Sequence, residues 1–345
     1  MKVVAVGDVF ITPDMMRKAF EKYDDFDNCQ YFFFGQHTRH KMRSTVKRIE
    51  QGERDKCKLP EGYLEAVEDA EVLMVHLCPV TKEVLQRAKK LKYILCNRGG
   101  VENVDIDAAL ERRIKVLFNP AHNANAVAEF TIGTMFCELR NIARSHMAIK
   151  NGDWREKYPN SGRIIELKNL TIGIVGFGNV GELVCEKLSG FGCNILVSNL
   201  FEPEHTNPRI NWDKVRFVEL EELLAKSDVI SLHARSRSKE PIFGKQEFKM
   251  MKKTAIFINT ARSYMVDYDA LYDALNKQLI EGAAIDVFEA EPLGADHPFL
   301  ALDNVTLTNH RGGDTVNSYS DSPAMMLEEL MFFLKDGKKP KFLMQ

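Results

Sequence analysis

What this chain lacks narrows its class before any motif is considered. It has no cysteine framework: its seven Cys are scattered, odd in number and never spaced C-x-x-C. That argues against a disulfide scaffold or a zinc site and for reduced thiols in the cytoplasm. No apolar run approaches the ~20 residues a membrane helix needs. Neither charge is in excess, since 47 Lys and Arg against 49 Asp and Glu leave a formal net charge of −2. With no long basic block either, no nucleic acid and no anionic membrane is expected as a partner. The opening "MKVVAVGDVFI" holds only a short apolar run, broken by Asp8, with no cleavage-site pattern behind it. It reads as a first strand rather than a signal peptide. No metal is expected, because His37 and His40 of "HTRH" lack a second ligand pair and read as a solvated loop.

What is present is an ordinary soluble balance, 45% hydrophobic and 28% charged, over 345 residues. That length is too great for one ordinary core and suits two domains. Short β-rich runs alternate with helical patterns, the signature of parallel sheets covered by helices. "KVVAVG", "CQYFFFG", "AEVLMVHL", "LKYILCN" and "KVLFN" predict strands in the first third, with "PDMMRKAFEKY" and "TKEVLQRAKK" as helices between them. This third has no glycine-rich phosphate loop and reads as a doubly wound domain of its own. A long helical stretch follows from about Ala124 to Lys150, stopped by "NGDW". A second strand–helix series then runs through "LTIGIVG", "CNILVSN", "DVISLHA", "AIFINT", "GAAIDVF" and "NVTLTNH", and Asp314 to Lys335 reads as one amphipathic helix with Pro323 near its start.

"TIGIVGFGNVGELVCEKL" places Gly176, Gly178 and Gly181 as G-x-G-x-x-G between a strand and a helix, with Asn179 and Val180 inside the motif. The first glycine permits the tight turn, the second lets backbone approach a pyrophosphate, and the third allows close helix–strand packing. The helix N-terminus adds free N–H groups and a positive dipole end. A lone match is weak, but a second strand ends eighteen residues beyond Gly181, where a ribose-binding acid is usual. Here the residue is Asn199. Its amide oxygen can accept a ribose hydroxyl, but it has no charge with which to repel a 2′-phosphate. Glu202 and Glu204 follow and no cation appears until Arg209, so NAD is favoured over NADP.

Three polar residues lie at the ends of later strands: Arg262 after "AIFINTA", Glu291 after "AIDVFEA" and His310 after "NVTLTN". In an open parallel sheet, ligands bind at the carboxyl ends of strands. An Arg there can clamp a carboxylate and polarise the adjacent carbonyl. A His can pass the proton that accompanies hydride transfer, and a Glu against it would stabilise its protonated ring and fix its orientation. Each alone has a bland reading as a surface ion pair, a turn acid or a hydrogen-bonded strand-end His. Together, behind a glycine loop, they predict a dehydrogenase.

With these residues in view, the sequence resembles the D-isomer-specific 2-hydroxyacid dehydrogenase family, in its phosphoglycerate dehydrogenase-like branch. The resemblance runs from "NRGGVENVDIDAA" through "AVAEFTIG", "GIVGFGNVG", "DVISLHA", "INTAR" and "GAAIDVFEAEPL" to "NHRGG", while the first ~75 residues match less clearly. It implies an α/β fold of two doubly wound domains. A Rossmann NAD(P)-binding domain, 121–310, would be inserted into a discontinuous flavodoxin-like substrate domain, 1–120 and 311–345, with catalysis in the cleft. It further implies that Arg262 binds the substrate carboxylate and carbonyl, that His310 is the general acid/base and that Glu291 is its partner. Backbone amides at Gly99 and Gly100 would hold the carboxylate. Asp286 would hold the nicotinamide carboxamide, and His233, Thr260 and Ala261 would line that half of the groove. Family members are usually dimers joined through the cofactor domain.

Departures from the family pattern are Asn199, Ser263–Tyr264 where Gly–Gly is common, and Asn309 in place of a Pro before His310. The Tyr264 phenol could narrow the cleft, bond substrate or be tucked into packing. Arg98 could meet a phosphate or a distal carboxylate, or point to solvent. The expected substrate is a D-2-hydroxy or 2-keto acid, sugar-derived, with 3-phosphoglycerate as the runner-up. An NAD-sensing corepressor is the alternative of another class.

Overall fold

The computed structural model describes residues 1–234, 240–337 and 340–344. Two compact units emerge, Met1–Asn123 with Thr315–Gln345, and Ala124–Asp314. In the first, β1 (Lys2–Gly7), β2 (Asp27–Phe33), β3 (Val72–Val75), β4 (Tyr93–Cys96) and β5 (Lys115–Phe118) form one parallel sheet ordered β2-β1-β3-β4-β5. This is the flavodoxin-like order, and its direction of winding reverses between β1 and β3. Successive strand residues face opposite sides, so β1 feeds two cores. Val4 and Val6 join Leu73, Val75 and the Met42 and Ile49 of helix Arg39–Glu50. Val3 and Ala5 join Met74, Leu95 and the Met326 and Leu330 of helix Ser322–Asp336. Covering both faces with helices is what a parallel sheet requires. The chain's last residues return to this sheet, where Leu343 bridges Leu117 antiparallel.

The second unit holds β6 (Thr171–Val175), β7 (Asn194–Ser198), β8 (Val215–Phe217), β9 (Val229–Leu232), β10 (Ile256–Asn259), β11 (Gly282–Ile285) and β12 (Val305–Leu307). All are parallel and ordered β12-β11-β10-β9-β6-β7-β8. This is the Rossmann order with one strand added beyond β11, and the winding reverses between β6 and β9. Ile172, Ile174, Ile256 and Ile258 pack with Ala128 and Met135 on one face. Ile230, Leu232, Phe257 and Ile285 pack with Leu271 and Leu275 on the other.

Three sequence expectations need correction. The stretch 124–150 is two helices, Ala124–Arg140 and Ile142–Lys150, separated by Asn141 at φ 54°. Asn tolerates that left-handed conformation better than most residues, and Asn160 Nδ2 donates to the Glu138 and Leu139 carbonyls that the break leaves over. The tail is also two helices, Val316–Ser320 and Ser322–Asp336. Pro323 falls in the first turn of the second, where its missing N–H is harmless, but its ring would clash inside a continuous helix. Lastly, His40 lies in helix Arg39–Glu50 rather than in a loop, and the His37 ring stacks on Phe33 with centroids 4.6 Å apart.

Candidate active site

The glycine loop leaves β6 at the switch point of the second unit's sheet. Gly176 adopts φ +94°, and a Cβ there would lie 2.5 Å from Ala234 backbone atoms, just past the end of β9. At Gly181 a Cβ would lie 2.1 Å from the Gly176 carbonyl oxygen. Gly178 differs, because a Cβ on it would meet nothing within 4 Å. It is also the N-cap of helix Asn179–Ser189 and supplies no side-chain cap. Two glycines thus make the turn, and the third keeps open the space in front of uncapped helix N–H groups, which suits a pyrophosphate. The residues fit a dinucleotide.

Asn199 stitches this loop to the next turn. Its Oδ1 accepts the Phe177 N–H at 3.1 Å and its Nδ2 donates to the Phe201 carbonyl at 2.8 Å. Beyond it, Glu202 lies 2.9 Å from His205 Nε2, and Arg209 pairs with Glu186 at 3.3 Å. His205 also stacks flat on Trp212, with centroids 4.1 Å apart.

Glu291 and His310 meet at the carboxyl edge of the same sheet. His310 Nδ1 lies 2.8 Å from Glu291 Oε2, and Glu291 Oε1 accepts the Phe288 N–H at 3.0 Å. The carboxylate is therefore fixed at one end by backbone while the other orients the imidazole. His310 itself sits at φ +57°, a left-handed conformation that costs a non-glycine residue about 1–2 kcal/mol. Asp286 holds it there. Only 1% exposed, Asp286 accepts the Arg311 N–H and the Thr308 hydroxyl on Oδ1 at 2.9 and 2.7 Å, and the Gly312 N–H on Oδ2 at 2.9 Å. Sequence reasoning did not find this clamp around His310. A buried Asp at a strand end was the available signal.

Arg262 is carried by a turn whose shape is set by buried Asn259. The Asn259 side chain accepts the Ala261 N–H at 3.1 Å and donates to the Arg262 carbonyl at 3.2 Å. The guanidinium is exposed, with Nη1 donating to the Ala261 carbonyl at 2.8 Å. Tyr268, from helix Tyr268–Asn276, donates its hydroxyl to the Val287 carbonyl and so ties this helix to the loop after β11. His233 follows β9; it is buried, its Nε2 lies 2.8 Å from the Ser231 hydroxyl, and burial pushes its pKa down to about 3. It is a neutral ring at physiological pH, suited to lining a groove rather than moving protons. Thr260 is buried against the Thr131 hydroxyl at 2.7 Å.

Arg98, Gly99 and Gly100 belong to the first unit, following β4. Arg98 does not point to solvent: its side chain is 13% exposed and its Nη2 lies 3.3 Å from Glu102 and 3.6 Å from Glu50. The Glu102 carboxylate crowds Gly100, where a Cβ would lie 2.3 Å from Oε2.

The family model described as "D-isomer specific 2-hydroxyacid dehydrogenase, NAD binding domain" matches residues 132–312. The chain is 36% identical over 277 residues to D-3-phosphoglycerate dehydrogenase of Methanocaldococcus jannaschii, covering 80% of this chain and 52% of the relative. It is 34% identical to glyoxylate reductase of Thermofilum pendens, covering 81% and 83%. The chain belongs to the D-isomer-specific 2-hydroxyacid dehydrogenase family. It spans about half the length of the phosphoglycerate dehydrogenase it matches and over four-fifths of the glyoxylate reductase. A D-isomer specific 2-hydroxyacid dehydrogenase from Lactobacillus delbrueckii, solved in an NAD-complexed form, has the same fold over the whole of both chains, with a TM-score of 0.76 at 21% identity.

Within this family member, Tyr264 is partly buried and packs against the core that contains Phe257 and Leu271. Asn309, in place of the family's common Pro, immediately precedes His310 and leaves the His310–Glu291 bond intact.

Proposed function

We propose that this dehydrogenase interconverts a D-2-hydroxy acid and its 2-keto acid, the acid being sugar-derived, with NAD(H) preferred over NADP(H). The observation that carries the reading is the 2.8 Å Glu291–His310 pair on the carboxyl edge of the sheet that bears the open glycine loop. Gly176, Gly178, Asn179, Val180 and Gly181 would hold the pyrophosphate, Asn199 the adenosine ribose, and His233, Thr260, Ala261 and Asp286 the nicotinamide half. When bound, the nicotinamide supplies or takes up the hydride. Arg262 holds the carboxylate of the acid and draws electron density from its carbonyl. His310 delivers a proton to the carbonyl oxygen in reduction and removes it in oxidation, while Glu291 stabilises the protonated ring. The amides at Gly99 and Gly100 are the proposed second hold on the carboxylate. Orientation and fixed charge supply most of the rate.

Arg98 is already engaged by two carboxylates, which favours a non-phosphorylated acid over 3-phosphoglycerate at that residue. NAD is preferred because the cation nearest Asn199 in sequence, Arg209, is paired with Glu186. The seven free thiols suit a reducing cytoplasm, and no helix among the described residues is long and apolar enough to cross a membrane.

A screen of 2-keto acids and D-2-hydroxy acids, followed by NADH and NADPH absorbance, tests the reading. Turnover is expected with NADH on at least one acid, and His310→Ala should lower kcat by at least about 100-fold while NADH binds nearly as before. Tight NADH binding without turnover on any acid would move the protein to the corepressor class.

A further inference from the structure

Asn199 ends β7 where a dinucleotide site usually places an acid on the ribose, and its side chain is largely committed elsewhere. One end accepts the Phe177 N–H and the other donates to the Phe201 carbonyl. The amide therefore fastens the glycine loop to the turn beyond β7, and it has no charge to set against a 2′-phosphate. The peptide it grips is the one that leads into Glu202.

Glu202 does not hang free in solvent. Its Oε1 lies 2.9 Å from His205 Nε2, and because a carboxylate only accepts, that nitrogen carries the hydrogen. The imidazole lies flat on the Trp212 indole, with 4.1 Å between centroids and 4° between planes. Phe217 stands 6.0 Å from the same imidazole. Phe177, between the first two glycines of the loop, lies 5.4 Å from Phe217 and 6.2 Å from Trp212. Trp212 is tied down in turn. Its Nε1–H donates to the Asn207 carbonyl at 3.1 Å, and Asn207 Nδ2 donates to Glu182 and Glu186 of helix Asn179–Ser189 at 3.2 and 3.1 Å. From the glycine loop's own helix to the Glu202 carboxylate, each step is a stacked ring or a hydrogen bond. Glu204 is exposed and has no comparable hold among the described residues.

An exposed acid beside a histidine is ordinarily a solvated pair of little consequence for stability. Here the aromatic stack immobilises the imidazole, so the carboxylate has a fixed place, one peptide beyond the bond to Asn199. The only Lys or Arg between Asn199 and Trp212 in sequence is Arg209, and Glu186 engages it at 3.3 Å. A charge so placed acts on a neighbouring group over about 10 Å before salt screens it.

We propose that Glu202, positioned by His205 on the Trp212 and Phe217 rings, is the residue that excludes a 2′-phosphate and so selects NAD(H) over NADP(H). The proposal rests on the dinucleotide reading of the glycine loop. It moves the discriminating charge from the strand end to the turn after it, and leaves Asn199 to join the two loops and meet the ribose. His205 is a positioning residue, since the charge that repels belongs to Glu202.

Fluorescence titration of the full chain with NADH and with NADPH tests this without turnover. At low salt, wild type should bind NADH at least about tenfold more tightly than NADPH, and Glu202→Gln should raise NADPH affinity about tenfold while NADH affinity changes less than about twofold. His205→Phe keeps a ring on Trp212 but cannot hold the carboxylate, so NADPH affinity should rise about threefold. Added KCl should narrow the wild-type gap and leave the ratio in Glu202→Gln nearly unchanged, which a merely structural role would not produce. An NADPH-to-NADH ratio that stays at the wild-type value in Glu202→Gln overturns the proposal, as does release of NADPH binding by Glu204→Gln instead. NADH binding in those variants leaves the dinucleotide reading intact. A wild-type chain that binds neither cofactor would remove that reading, and this proposal with it.

Discussion

A Cβ at Gly176 has no room, whereas one at Gly178 meets nothing within 4 Å. The two positions therefore separate folding from binding. Gly176→Ala must force a residue at φ +94° against Ala234, which should cost about 2–5 kcal/mol. Gly178→Ala has φ −90° and open space, so its stability should stay within about 1 kcal/mol of the parent. Its added methyl nonetheless stands where the pyrophosphate would approach, so NADH affinity should fall at least about tenfold. Urea unfolding and NADH fluorescence titration read the two effects, and unchanged NADH affinity in folded Gly178→Ala would remove the phosphate role. At this scale the sequence was legible wherever chemistry is local. The glycine spacing, Arg262, Glu291 and His310 could be marked from strand ends. Residues that act through distant partners could not be read so. The hold of Asp286 on Arg311 and Gly312 spans 25 and 26 positions, and Asp8 reaches His76 across 68.

The joint at Asn141 shows what sets an element's limits. Glu138, at 3% side-chain exposure, receives two Arg144 contacts at 3.0 and 2.8 Å and the Thr306 hydroxyl; Arg144, at 8%, also reaches Asn141 and the Asp303 carbonyl. One buried ion pair thus ties both helices to β12, and burial pushes the Glu138 carboxyl pKa up despite its partner. Arg144→Met should leave that carboxylate uncompensated and cost about 3–5 kcal/mol, much of which Glu138→Gln in the same chain should restore. A loss under about 1 kcal/mol in urea unfolding would mean that the pair is not holding the joint. Strand runs such as "KVVAVG" and "AIFINT" were legible because a doubly covered parallel strand is a continuous apolar run. The break at 141 was not, since helical spacing continues across it and only the tertiary Glu138–Arg144–Asn160 contacts make it. Helix Arg39–Glu50 was hidden for a related reason: only Met42 and Ile49 are buried in an otherwise basic and polar stretch.

The surface of the whole molecule carries a final argument, concentrated in one segment of the second unit. Within residues 142–165, Ile142, Met147, Ile149, Trp154, Ile164 and Ile165 are all about half exposed or more, with Trp154 at 81%. Single exposed apolar residues need no explanation, but an indole and five aliphatic side chains in one short stretch are the composition of a covered surface. A second copy of this chain is the proposed cover, because a patch that meets itself about a two-fold axis closes without leaving further apolar surface. The full chain should therefore run at twice its own mass in light scattering at micromolar concentration. Trp154→Glu combined with Ile149→Glu, both on exposed side chains, should yield a folded monomer, since two desolvated carboxylates facing their copies would cost more than the lost apolar contact alone. A wild-type chain that stays monomeric across that range would remove the dimer, and a charged double variant that still dimerises would move the interface elsewhere on the unit.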